Sequence, residues 1–112
     1  MKFPTDAVIA PAKLNQYLLV PQKRNDKAHW LLTAGYSVEN WALLERDIRE
    51  QILPLDAVLI EETPYGTMVE IAGELTGPNG KVLAVRSFWM FAAAAGEVRF
   101  VTLYPDKGKR AS

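Results

Sequence analysis

Cysteine is absent from this chain of 112 residues, and histidine occurs once, at His29. No disulfide, thiol nucleophile or thiolate metal site is available. A lone histidine without a neighbouring ligand spacing gives no basis for a zinc site. No charge of either sign is in excess: Lys plus Arg and Asp plus Glu number 13 each, for a formal net charge of zero. Attachment to nucleic acid by bulk charge, which a strongly basic balance would favour, is therefore not expected, although a local basic patch is compatible with this balance. Long hydrophobic runs are missing as well. The longest, Phe88–Ala95, is far short of the ~20 residues that span a bilayer. The opening Met1–Asp6 lacks the apolar core of a signal peptide. A cytoplasmic protein with no membrane attachment is the expectation, with no metal or cofactor implied.

The content that is present describes architecture. Hydrophobic residues make up 49% of the chain, enough for a core, and the length suits one domain over 1–105 with a charged tail over 106–112. Thr76-Gly77-Pro78-Asn79-Gly80-Lys81 lies between two strand-like runs, Thr67–Leu75 and Val82–Ala92. Its Gly-Pro and Asn-Gly pairs are turn dipeptides, and Asn-Gly tolerates the positive φ that a hairpin requires. The second half of the chain thus reads as antiparallel strands: Ala57–Glu62, Thr67–Leu75, Val82–Ala92 and Val98–Tyr104. Thr63-Pro64-Tyr65-Gly66 forms the first turn.

The first half reads as helical. Pro11 starts a helix carrying Leu14, Tyr17 and Leu18 on one face, ended by Pro21. Asn25 or Asp26 caps a second helix through Ala34, with Ala28, Leu31 and Leu32 inward and Gly35 as its stop. Ser37 caps a third, from Val38 to about Leu53, with Trp41, Leu44, Ile48 and Ile52 as its apolar stripe. Glu45 and Arg49 form an i,i+4 pair on its wet side. The expected fold class is α+β, three N-terminal helices packed on a four-stranded antiparallel meander.

Strand Val82–Ala92 is apolar on both faces. Leu83, Val85, Trp89 and Phe91 form one face, and Val82, Ala84, Phe88 and Met90 the other, interrupted by Arg86. Helices cover one face only. The second needs either an identical subunit or the segment Phe3–Ile9. On the last strand, strict alternation sets Val98, Phe100, Thr102 and Tyr104 on one face and Arg99, Val101 and Leu103 on the other.

Several residues are candidates for chemistry. His29 is the natural general acid or base, balanced against an ordinary helix-surface role. Glu61 or Glu62 facing Glu70 would make a carboxylate pair, balanced against a solvated sheet face. Lys23, Arg24 and Lys27, and in the tail Lys107, Lys109 and Arg110, form two basic clusters that reach phosphates or simply solubilise the surface. Arg86 is costly inside an apolar strand unless paired, and Glu70 and Glu74 are the available partners. No phosphate loop, dinucleotide fingerprint or nucleophile elbow is present.

Lys13-Leu14, Tyr17-Leu18-Leu19, Lys27-Ala28 and Gly35-Tyr36 resemble the pattern of an uncharacterised family of small bacterial domains. So do Tyr65-Gly66, the Leu75–Gly80 turn, Trp89 and Val101-Thr102-Leu103-Tyr104-Pro105. The resemblance covers about Lys13 to Pro105. It implies a domain found alone or as the C-terminal module of phage-linked and toxin-like proteins, without an activity to carry over.

At the level of fold, helices followed by a four-stranded sheet that closes on Val-Thr-X-Tyr-Pro resemble the barnase-like and RelE-like ribonuclease toxins. That resemblance implies RNA cleavage without metal. His29 or Lys27 would act as base or acid, Arg86 would stabilise the phosphorane, and Thr102 and Tyr104 would donate hydrogen bonds. Two functions therefore follow. One is a non-catalytic interaction module, with a protein partner or a homodimer through the Val82–Ala92 face. The other is a metal-independent ribonuclease or its degenerate relative, with RNA as partner.

Overall fold

The computed structural model describes residues 2–3, 6–23, 27–92 and 94–107. Four strands, β1 (Val58–Thr63), β2 (Gly66–Thr76), β3 (Val82–Ala92) and β4 (Glu97–Pro105), form one antiparallel sheet in sequence order. The α+β class and the meander follow the strand and turn chemistry of the second half.

The helical half is more broken than three regular helices. A turn at Pro11–Lys13 continues in π geometry over Leu14–Leu18, together α1. Helix α2 is short, Lys27–Leu32. A 3-10 turn, Val38–Asn40, leads into α3 (Trp41–Asp47), which winds on as a π-helix over Ile48–Ile52. The Ser37 start takes the form of a capping box with Asn40, whose Oδ1 accepts from Ser37 N at 2.7 Å. The wider π turn, closed by Leu53 N donating to Ile48 O at 2.9 Å, lets Ile48, Ile52 and Leu53 all be fully buried. The proposed caps Asn25 and Asp26 lie outside the described residues, as do Arg24, Lys109 and Arg110. Gly35 ends the α2 turn with φ 98°.

The helices cover one sheet face. Leu14, Leu18, Leu31, Leu44, Ile48 and Ile52 meet Val69, Ile71, Leu75, Val85, Trp89 and Phe100 in a single core. Ser87 is a polar residue buried beside it. Its Oγ donates to Ile71 O at 2.7 Å and accepts from Trp89 Nε1 at 2.8 Å, so both groups are satisfied. Two inward assignments fail. Leu32 is exposed, because the one-and-a-half-turn α2 turns only Ala28 and Leu31 to the core. Tyr17 points outward and is also exposed.

The turn between β2 and β3 is docked as well as folded. Gly80 N donates to Gly77 O, and Lys81 N to Asn79 Oδ1, both at 2.9 Å. Asn79 Nδ2 donates to Thr33 O at 3.0 Å, and Asn79 N donates to Ala34 O at 3.4 Å. The turn thereby supplies donors to carbonyls at the end of α2, which the helix itself leaves unpaired. Gln51 grips the strand end: Thr76 N donates to its Oε1 at 2.7 Å, and its Nε2 donates to Thr76 O at 3.1 Å.

The segment from Phe3 to Ile9 does not cover the outer face of β3. Phe3 packs on Phe91, which sits on the core side, with ring centroids 5.9 Å apart. Val8 bridges the free edge of β4: Val8 N donates to Val98 O at 2.7 Å and Phe100 N to Val8 O at 2.8 Å. Arg49 donates to Ala7 O at 2.6 Å while holding Glu45 at 3.0 Å. The expected Glu45–Arg49 pair therefore forms half-buried, as an anchor for this segment rather than on a wet side.

A β-bulge overturns the strict alternation on β4. Trp89 stands opposite Phe100 and Phe88 opposite Thr102, so Val101 is the extra residue. Val98, Phe100 and Leu103 are buried, and Thr102 and Tyr104 turn to the outer face. Among the described residues, no helix is long and apolar enough to cross a membrane.

Candidate functional site

The bulge assembles the outer face. Thr102 and Tyr104 face Phe88 and Arg86 across the β3–β4 ladder. Lys27, the first residue of α2, reaches them past the β4 edge. Its Nζ lies 3.1 Å from Thr102 Oγ1, 3.4 Å from Tyr17 Oη and 3.7 Å from the centroid of the Tyr104 ring. The ring faces offer the ammonium a negative quadrupole, and the two hydroxyl oxygens accept its protons.

The cluster continues along the sheet. Phe88 meets Tyr104 edge-on at 5.6 Å, and the Arg86 guanidinium lies 5.7 Å from the Phe88 ring. Arg86 donates to both carboxylate oxygens of Glu70, at 2.8 and 2.9 Å. The register sets Arg86 opposite Ala72 and Phe88 opposite Glu70, so the ion pair is diagonal. Of its two expected partners, Arg86 takes Glu70. The hydrogen bonds from Arg86 hold the Glu70 carboxyl below the usual carboxylate range, against the opposing effect of its burial, and they raise the guanidinium further.

Four sequence candidates, Lys27, Arg86, Thr102 and Tyr104, thus lie along one continuous band. His29 does not join them. It lines a separate depression of about 310 Å³ with Leu19, Pro21, Leu32, Tyr36 and Glu39. The Glu61/Glu62–Glu70 carboxylate pair does not form, because Glu61 pairs with Met68, Glu62 with Thr67, and Glu70 with Val58. Lys23 and Lys107 are exposed. Among the described residues, no group of three metal-ligating side chains occurs.

Two features escaped sequence reasoning. Tyr17 read as a core position because it shares the i,i+3 spacing of Leu14, and only the bulged β4 reveals its role beside Lys27. The other is β1. Val58, Leu59 and Ile60 are 61%, 59% and 48% exposed, three consecutive branched apolar side chains at the sheet edge. The signal was the Val-Leu-Ile run itself, which sequence reasoning read as a strand without assigning its faces.

These observations define a small α+β domain built on a helix-backed antiparallel meander, with a cation–aromatic band on the open sheet face. The chain belongs to the domain-of-unknown-function family DUF6883, whose model matches residues 4–107. The fold is similar to that of a chain in a contact-dependent growth inhibition toxin–immunity protein complex from Klebsiella pneumoniae 342. The TM-score is 0.62 at 17% sequence identity, over 89% of this chain and 100% of that one. At that identity the likeness is one of fold. A comparison with curated proteins found no match.

Proposed function

We propose that this domain is a non-catalytic interaction module that binds a protein partner. The observation that carries the reading is the exposure of Val58, Leu59 and Ile60 in a fold whose other large branched strand residues are mostly buried. Contiguous apolar surface of this kind marks contact sites. The similarity to a chain from a toxin–immunity protein complex supports a partner that is a protein. A two-hybrid screen with the full chain as bait tests it. The expected result is a reproducible partner whose signal falls when Leu59→Lys replaces the wild-type bait. A partner insensitive to Leu59→Lys, or none, overturns the reading.

A homodimer through the outer face of Val82–Ala92 has less support. Tyr104 already packs on Phe88, and Arg86 with Glu70 occupies the middle of that face. Light scattering at micromolar concentration is expected to give a monomer.

The second reading, metal-independent RNA cleavage, is favoured by one observation, the convergence of Lys27, Thr102 and Tyr104 beside Arg86 and Glu70. In such a step Glu70 takes the 2′-hydroxyl proton, the 2′-oxygen attacks phosphorus, and the 5′-oxygen leaves with a proton from Lys27, while Arg86 steadies the phosphorane. Two facts weigh against it. The Arg86 charge is engaged twice by Glu70, and a carboxylate held at lowered pKa is a weak base. Incubation with RNA in the presence of a chelator is expected to leave the RNA intact. Cleavage that Lys27→Ala abolishes would put the ribonuclease reading in its place.

A further inference from the structure

We propose that the free edge of β1 takes up an extended segment of a partner protein as an added antiparallel strand, with basic residues of that segment opposite Glu61 and Glu62. The inference rests on the protein-binding reading above and specifies its surface and the chemistry of the occupant.

The two edges of the sheet are treated differently by the fold. At β4, Val8 supplies backbone hydrogen bonds to Val98 and Phe100. At β1, among the described residues, the only strand partner is β2. Its outward N–H and C=O groups are a template for another strand. The side chains on this edge are equally unmet. Val58, Leu59 and Ile60 are about half exposed or more, and Tyr65, in the turn that follows, is 84% exposed. An added strand buries apolar side chains on both faces of β1 at once, which a partner docking on one sheet face does not.

Charge selects the occupant. Glu61 and Glu62 follow the apolar run and are both exposed, and among the described residues no cation pairs with either. Opposite charges across a strand pair stabilise it, and like charges oppose it. A second copy of this chain fits badly. Under two-fold symmetry, a register centred on Ile60 sets Glu61 against Leu59 and Glu62 against Val58. A register centred between Glu61 and Glu62 sets carboxylate against carboxylate. A segment with two basic residues at its N-terminal end followed by branched apolar residues meets Glu62, Glu61 and the Ile60–Val58 run in antiparallel order. Antiparallel addition continues the pattern of the existing sheet. The bulge between Leu59 and Glu61 twists the edge and limits indiscriminate pairing.

The test uses the full chain and two synthetic capped hexapeptides, KKIVTV and EEIVTV, read by amide hydrogen exchange. The lysine peptide is expected to slow exchange across Val58–Thr63, and the glutamate peptide to bind about tenfold more weakly. The double variant Glu61→Lys with Glu62→Lys, both at exposed positions, is expected to reverse that order. Equal affinity for both peptides, protection that maps outside β1, or β1 protection that grows with protein concentration alone would each overturn the proposal. If a two-hybrid partner is lost with Leu59→Lys yet retained undiminished by the double variant, the basic occupant is wrong and the protein-binding reading stands. Absence of any partner together with Lys27-dependent RNA cleavage removes the reading itself.

Discussion

The Tyr36 hydroxyl donates to Asp47 Oδ2 at 2.6 Å in the buried interior, and its oxygen also lies 3.3 Å from Thr76 O. One side chain therefore ties the loop after α2 to α3 and to the end of β2. Arg46 approaches the other carboxylate oxygen at 3.3 Å, so the buried Asp47 carboxylate has an exposed cation beside it. Tyr36→Phe removes the buried donor and leaves the carboxylate short of a partner. Loss of a hydrogen bond to a charged group of this kind costs about 2 kcal/mol, to be seen as a lower urea midpoint with an unchanged slope.

Alkaline unfolding follows from the same contact. Burial first, then the hydrogen bond and charge of Asp47, push the Tyr36 phenol well above its ordinary value of 10.0. The protonated phenol is favoured in the folded state. Its stabilisation is complete below about pH 10 and is lost as pH rises through the raised folded value. Stability is expected to be flat with respect to this group at neutral pH and to fall above pH 10. In Tyr36→Phe that alkaline fall is smaller. Denaturant titrations of both proteins across that range check it.

The β2–β3 turn yields a prediction that separates sterics from conformation. A Cβ on Gly77 would run into the Ala34 carbonyl and methyl, whereas one on Gly80 meets nothing within 4 Å. Gly80 does have φ 89°, a left-handed backbone that L-residues adopt at a cost. Gly77→Ala is expected to destabilise by about 1–3 kcal/mol, as overpacking does, and to loosen α2. Gly80→Ala should cost about 1 kcal/mol and leave α2 untouched. Hydrogen exchange at Thr33 and Ala34 distinguishes the two, because only the first displaces the turn from the helix end.

The meander was legible because turn chemistry and period-two hydrophobicity act locally. Gly77-Pro78-Asn79-Gly80 and Thr63–Gly66 set two of the three hairpins without reference to the rest of the chain. The stripe Leu44, Ile48 and Ile52 was legible for the same reason. What sequence reasoning missed depends on partners distant in the chain. A bulge at Val101 is invisible to alternation counting, since Val101 fits a strand as well as any residue does. Yet that one insertion turns Thr102 and Tyr104 outward and Leu103 inward. Tyr17 was misplaced because a three-residue spacing identifies a helix face but not what covers it. His29 drew notice as the sole histidine, and chemical rarity says nothing about position. The exposed β1 run shows the converse limit: Val58, Leu59 and Ile60 are apolar and strand-forming, yet this fold leaves them exposed.

Glu70 gives a spectroscopic check on the outer face. Arg86 holds its carboxyl below the ordinary 4.5. A depressed carboxylate contributes stability that is present above the ordinary value and lost as pH falls through the lowered one. In Arg86→Gln the carboxyl loses its charged donor, and its titration, followed by carboxyl-carbon NMR, is expected to move up. The part of the acid-side loss of stability that Glu70 causes should shrink in the same variant. A midpoint that does not move would mean that the two side chains are apart in solution.

Lys27 and Tyr104 supply the corresponding test on the other half of the band. The ammonium sits 3.7 Å from the ring centroid, inside the range where the quadrupole attracts a cation, and Tyr104 is 43% exposed. Tyr104→Phe keeps the ring face and should leave the contact in place. Tyr104→Leu keeps apolar bulk and removes the quadrupole. A double-mutant cycle of Tyr104→Leu with Lys27→Met isolates the pairwise contribution from lost packing, and a coupling of about 0.5–1 kcal/mol is expected, with almost none for Tyr104→Phe. Thr102→Val adds a second leg, since its hydroxyl accepts from Lys27 at 3.1 Å. If Tyr104→Leu shows no coupling while Thr102→Val does, Lys27 is held by the hydroxyl alone and the aromatic ring is incidental packing. Coupling at both positions means that ring and hydroxyl together fix the ammonium on the outer face, where α2 and β4 meet.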